Sequence, residues 1–164
     1  MNRTLITLIF MSLMAAIAIS SCSTNQTESA QGEWITGTEQ EKLSLIEDHL
    51  GGFGRTMMEV GYRYTELYWA GQDENWLYAA YQLEEMEEAL ENGFERRPAR
   101  AASAETFMQN SLPRMMEATQ ENNRDRFHDV FQSFTLQCNM CHALEEVAFI
   151  AIKEPQVRAS SVRF

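Results

Sequence analysis

Residues 126–142 read RFHDVFQSFTLQCNMCH. Phe127, Phe131, Phe134, Cys138 and Cys141 recur there at intervals of three and four, the period of one face of an α-helix. The stripe predicts a helix capped by Asn123 or Asp125, carrying Ala148 on the same face and ending before Pro155. Upstream the same period returns. Thr38 and Glu41 spell a capping box, and Leu43, Ile46, Leu50, Phe53, Met57, Val60, Tyr64 and Leu67 then mark one apolar seam, which predicts a long helix over roughly 39–70. Asp73 is placed to cap a second helix running to Asn92, with Trp76, Ala80, Leu83, Met86 and Leu90 inward and Gly93 as its stop. A third helix starts near Ser103 on Phe107, Met108, Met115 and Met116, kinks or restarts after Ser111 because of Pro113, and ends near Glu121. No stretch alternates as a strand does. Four helices with short connections make the predicted fold all-α, an antiparallel up-down-up-down four-helix bundle.

Cys138-Asn139-Met140-Cys141-His142 closes that decisive stretch with the spelling C-x-x-C-H, which marks covalent c-type haem attachment. Two thiols add across the porphyrin vinyl groups and the adjacent imidazole supplies an axial iron ligand, so three side chains must reach one macrocycle together. Positions i, i+3 and i+4 share a helix face, and here that face is also the core stripe. The expected cofactor is therefore one haem c, held by Cys138 and Cys141 with His142 as axial ligand. A thioredoxin-like C-x-x-C needs a preceding strand, and a structural zinc site needs a second ligand pair at motif spacing; the chain offers only the distant His49 and His128.

The amino terminus reads as an address. Asn2 and Arg3 precede an apolar run from Leu5 to Ile19 that is too short to span a membrane and ends in small residues, as a signal peptide does. Ile19-Ser20-Ser21-Cys22 resembles a bacterial lipoprotein lipobox. That resemblance makes Cys22 the lipidated first mature residue, and Ser23 after it directs the protein to the outer membrane, on the periplasmic side of the cell envelope. Residues 1–21 are then signal peptide, 22–38 lipidated cysteine and polar tether, 39–155 the helical domain and 156–164 a loose tail. With Cys22 on lipid and the other two cysteines on haem, no thiol is left for a disulfide.

Formal charge is -11, and -12 once Arg3 is removed. Such acidity argues against nucleic acid or anionic lipid as partner and for a basic protein. Glu84, Glu85, Glu87, Glu88 and Glu91 read first as the solvated face of the second helix, then as a docking face. Arg96, Arg97 and Arg100 are loop charges able to meet haem propionates.

A four-helix bundle with C-x-x-C-H near the end of its last helix resembles the cytochrome c prime family. The similarity covers residues 39 to about 152 and matches Cys138, Cys141 and His142 residue by residue. Where the family usually carries a basic residue four positions after the axial histidine, this chain has Glu146. The resemblance implies a haem-bearing bundle and pairing as a homodimer. An antiparallel first and last helix would set His142 opposite the stretch from His49 to Met57, where Gly51, Gly52 and Gly54 each cost about 1 kcal/mol relative to Ala in a helix. Close approach of a flat macrocycle explains them, as does a local break. Met57 is the candidate distal ligand, ahead of His49; Leu50 or Phe53 at that place would leave the iron five-coordinate. The expected function is one-electron transfer by a membrane-tethered carrier, with binding of a small gas such as nitric oxide or carbon monoxide as the alternative. A peroxidase would need a distal acid-base group, and no His/Arg pair stands out there.

Overall fold

The computed structural model describes residues 34–162, and within them the chain is helical with no strand. Two compact units divide between Ile46 and Glu47. The expectations for the signal peptide, for Cys22 and for most of the tether lie outside the described residues.

In the first unit the capping box forms as spelled. The Glu41 carboxylate accepts from the Thr38 N–H at 2.7 Å and from its hydroxyl at 2.8 Å, and these bonds hold the Glu41 carboxyl below the ordinary range. Helix α1, Glu39–Leu50, starts on that box and buries no residue. Leu43 is 61% exposed, and Leu50, which belongs to the second unit, is 53% exposed.

The single helix expected over 39–70 is two. Gly51 takes φ +79°, a left-handed conformation that ends α1, and Gly52 is the extended N-cap of α2, Phe53–Gln72. Arg55 Nη1 donates to the His49 carbonyl at 3.0 Å, satisfying one of the acceptors the break exposes. From α2 onward the seam is inward: Phe53, Met57 and Val60 pack on the core, and Tyr64 and Leu67 are buried.

Helix α3, Trp76–Arg96, is capped by Asn75, whose side chain accepts from the Tyr78 N–H at 3.2 Å; Asp73 instead ends α2. Gly93 does not stop α3. It is buried where a Cβ would lie 2.7 Å from Thr56 Oγ1, so it lets α2 and α3 approach, and the helix ends before Pro98. A 3-10 turn, Pro98–Arg100, leads to α4, Ala101–Thr106. A π-helical turn over Phe107–Ser111 absorbs the donor missing at Pro113, and α5, Leu112–Gln120, restarts after Ser111 as the proline predicts.

Helix α6, Arg124–Leu144, begins on Asn123, whose side chain accepts from the Arg126 N–H at 2.9 Å. It ends at Leu144, eleven residues before Pro155, which leaves Ala148 exposed in a turn. The cause is a Schellman ending: Glu146 N–H donates to Ala143 O, Val147 N–H donates to His142 O, and Glu146 takes φ +59°.

Within the second unit α2 packs on α3, α3 on α5, α5 on α6 and α2 on α6. Phe127, Phe131 and Phe134 fill the centre with Leu67, Leu83, Met86 and Met115. Arg63 bridges α2 to α3 through Glu85 at 3.0 Å, while Glu84, Glu88 and Glu91 stay in solvent. The segment expected as a loose tail has no helix but is tied down: Arg158 pairs with Asp73 at 2.6 Å and lies 4.8 Å from the Trp69 ring centre. Among the described residues no helix is long and apolar enough to cross a membrane.

Candidate functional site

A cavity of about 430 Å³ opens between α2, the end of α6 and the turn after it. Its α6 wall is Cys138, Cys141 and His142, the three residues of the motif that carry chemistry. Its α2 wall is Phe53, Gly54, Met57, Met58, Val60, Gly61 and Tyr64. Val147, Ile150 and Ile152 close one side, and Arg100 and Glu145 stand at the polar part of the lining. The volume and the mostly apolar walls are those of a small-molecule or cofactor pocket.

Helix geometry brings the three donors together. Cys138 and Cys141 are partly buried and unbridged, and the same helix face continues the phenylalanine stripe below them. Burial pushes the Cys138 thiol up to about 12, with the neighbouring Cys141 adding to it; burial also raises Cys141. The pair is therefore held as neutral thiols at ordinary pH.

His142 is fixed by the turn that follows its helix. Its Nδ1 lies 2.6 Å from the Ile150 carbonyl oxygen. A carbonyl only accepts, so Nδ1 carries a proton, and in the neutral ring the lone pair is then on Nε2, the form of imidazole that binds a metal. Asn139, between the cysteines, returns the turn to the helix: its Nδ2 donates to Ile152 O at 2.9 Å, and the Ile152 N–H donates to its Oδ1 at 2.7 Å. Glu145 pairs with Arg100 and accepts from Ser103, which joins the end of α6 to the start of α4.

One turn below Cys138 a buried hydroxyl pair ties the two walls. The Thr135 hydroxyl donates to Phe131 O at 2.9 Å, so its single proton is spent there and Tyr64 O–H donates to Thr135 Oγ1 at 2.7 Å. Burial raises the Tyr64 phenol to about 12, the bond to Thr135 offsetting part of the rise.

Met57 lies on the cavity wall facing the donors, as the helix alignment predicts, while His49 and Leu50 do not line it and Phe53 does. His128, the other histidine open to a zinc site, is ten residues before Cys138, about 15 Å along the helix, and does not line the cavity either. Of the three glycines near the break, Gly51 and Gly52 make the break and Gly54 lines the cavity. Arg100 reaches the cavity; Arg96 instead donates to Thr56 Oγ1 at 2.9 Å, and Arg97 to Arg96 O.

Three contributors escape a reading by residue type. The Ile150 carbonyl is a backbone atom, Asn139 occupies a variable place in the motif, and Gly61 lies away from the glycine cluster. No family model matches the chain, no curated protein matches it in sequence, and no solved structure matches it.

Proposed function

We propose that this protein is an exported, lipid-anchored monohaem c-type cytochrome that transfers single electrons, a divergent relative of the cytochrome c prime bundles with up-down-up-down topology. The observation that carries the reading is the convergence of both thiols and an Nδ1-protonated imidazole of one C-x-x-C-H motif on a single apolar cavity. The residues fit the group. Gly54 and Gly61 carry no side chain toward the cavity, which suits a flat ligand, and the donors sit on the wall opposite.

When bound, the haem supplies a one-electron iron couple. Cys138 and Cys141 would hold it covalently, His142 Nε2 would be its nitrogen donor to iron and Met57 a second donor from α2, and Phe53, Val60, Tyr64 and Phe107 would keep water out. Electron exchange asks for access rather than a substrate pocket, and the cavity reaches the surface at Met58, which is 76% exposed. The acidic surface suits a basic redox protein as partner. Cys22 is the proposed lipid attachment, and Cys22→Ser is expected to release the protein from membranes.

A second reading rests on the α2 wall, which carries no histidine or lysine and whose possible donors are the thioethers of Met57 and Met58 and a Tyr64 hydroxyl already bonded to Thr135. Without Met57 ligation that wall leaves a five-coordinate site for nitric oxide or carbon monoxide. One spectrum of the full chain, made with a cytochrome maturation system, tests both. Haem that survives acidic acetone extraction and a low-spin reduced form indifferent to carbon monoxide are expected. A high-spin form that binds carbon monoxide replaces the carrier by the gas binder, and colourless protein overturns both.

A further inference from the structure

We infer that Asn139 is the positioning residue of the axial histidine: through Ile152 it holds the Ile150 carbonyl against His142 Nδ1 and so sets how strongly that imidazole donates to iron. The inference rests on the haem reading of the site. Its starting point is the turn after α6. That turn is closed at one end by Val147 N–H on His142 O at 2.9 Å and at the other by the two bonds between the Asn139 amide and the Ile152 peptide. Ile150 lies between the closures, its own N–H donating to Val147 O at 2.8 Å, and its carbonyl is the group that meets the imidazole.

Asn139 is used to capacity on its donor side. Its second amide hydrogen goes to Thr135 O at 3.1 Å, so the side chain is oriented by its own helix before it grips the turn. Among uncharged side chains of this size only a carboxamide puts separate donor and acceptor atoms side by side, as the two bonds to the Ile152 peptide require. An imidazole whose Nδ1–H is bonded to a fixed acceptor is a more basic ligand, and such outer partners govern ligand orientation and strength. A more basic axial donor favours ferric over ferrous iron and lowers the reduction potential. Releasing the turn therefore raises it.

The test compares holoproteins. Asn139→Ala removes both bonds, Asn139→Leu removes them while keeping the side chain's size and adding no charge, and Met140→Ala changes the exposed neighbour as control. Covalent haem is expected in all three, since the cysteines are untouched. Amide exchange at Ile152 is expected to quicken about tenfold or more in both Asn139 variants, and the reduction potential to shift upward in both but not in Met140→Ala. If Asn139→Ala does not yield holoprotein, Asn139→Leu decides alone. An unchanged potential in a variant whose Ile152 amide is deprotected overturns the inference while leaving haem attachment intact. Wild-type protein without covalent haem overturns instead the reading beneath it.

Discussion

The helices that face each other across the cavity follow opposite rules. The end of α6 concentrates the three side chains of the motif, Cys138, Cys141 and His142, and backs them with hydrogen bonds from the turn beyond. The facing length of α2 offers Phe53, Met57 and Val60 with two glycines, and its phenol at Tyr64 is spent on Thr135. One wall is chemistry held rigid and the other is room. If that division is real, removing donors from α6 must abolish binding, whereas changes on α2 must tune it. The largest effect is therefore expected from Cys138→Ala with Cys141→Ala. Covalent haem should vanish completely, read as pigment lost to acidic acetone, while Met57→Leu keeps the pigment bound and alters its spin state.

Next in size is the state of the α6 thiols before attachment. Cys138 in the folded, haem-free chain is pushed from 9.0 to about 12, so its thiolate fraction at pH 8 is about a thousandfold below that of an ordinary thiol. Iodoacetamide should label Cys141 first and Cys138 only on unfolding, as mass spectrometry of timed samples would show. The sign for stability follows. Above pH 9 the unfolded chain gives up the Cys138 proton that the folded chain retains, so stability falls as pH rises toward 12, by on the order of 1.4 kcal/mol per unit. Tyr64, raised from 10.0 to about 12, adds to the fall. Urea midpoints between pH 8 and 11 should drop, and drop less steeply in Cys138→Ala; equal slopes would mean the thiol is not buried as described.

The α2 helix also holds a glycine of a different kind, which sharpens the contrast. A Cβ on Gly71 would lie 2.0 Å from the Phe127 ring, and that ring is boxed in by Trp76 and Phe131 at 5.7 and 6.0 Å. Overpacking there costs about 3 kcal/mol, less about 1 kcal/mol of helix propensity gained. Gly71→Ala should lose a net of about 2 kcal/mol in denaturant unfolding with or without haem.

The same contrast separates what was legible in the sequence from what was not. Periodicity located the core of the second unit because packing obeys helix geometry: Phe127, Phe131, Phe134, Tyr64 and Leu67 are all inside. It misjudged Leu43 and Leu50, since an apolar seam does not say whether anything covers it. The restart at Pro113 was readable from a missing donor, and the left-handed turn at Gly51 carried a visible residue type. Glu146 takes the same region without glycine, because two backbone bonds and the returning turn compensate the strain, so the end of α6 carried no such mark. The donors of the site were legible for the reason that their chemistry admits few substitutes. Asn139 and the Ile150 carbonyl were not, since their role depends on a turn that only tertiary structure places.

Gly61 gives the smallest and most discriminating effect. It lies inside α2, lines the cavity, and has nothing within 4 Å of where a Cβ would stand. Gly61→Ala should therefore stabilise the haem-free chain by about 1 kcal/mol, the ordinary propensity difference in a helix interior. In the holoprotein the added methyl group enters the space left for the macrocycle, and the gain should shrink or reverse. Thermal unfolding of both forms measures the two changes side by side. An equal gain in both would mean that the bare wall of α2 is not where the ligand rests, even if the thiols of α6 hold it.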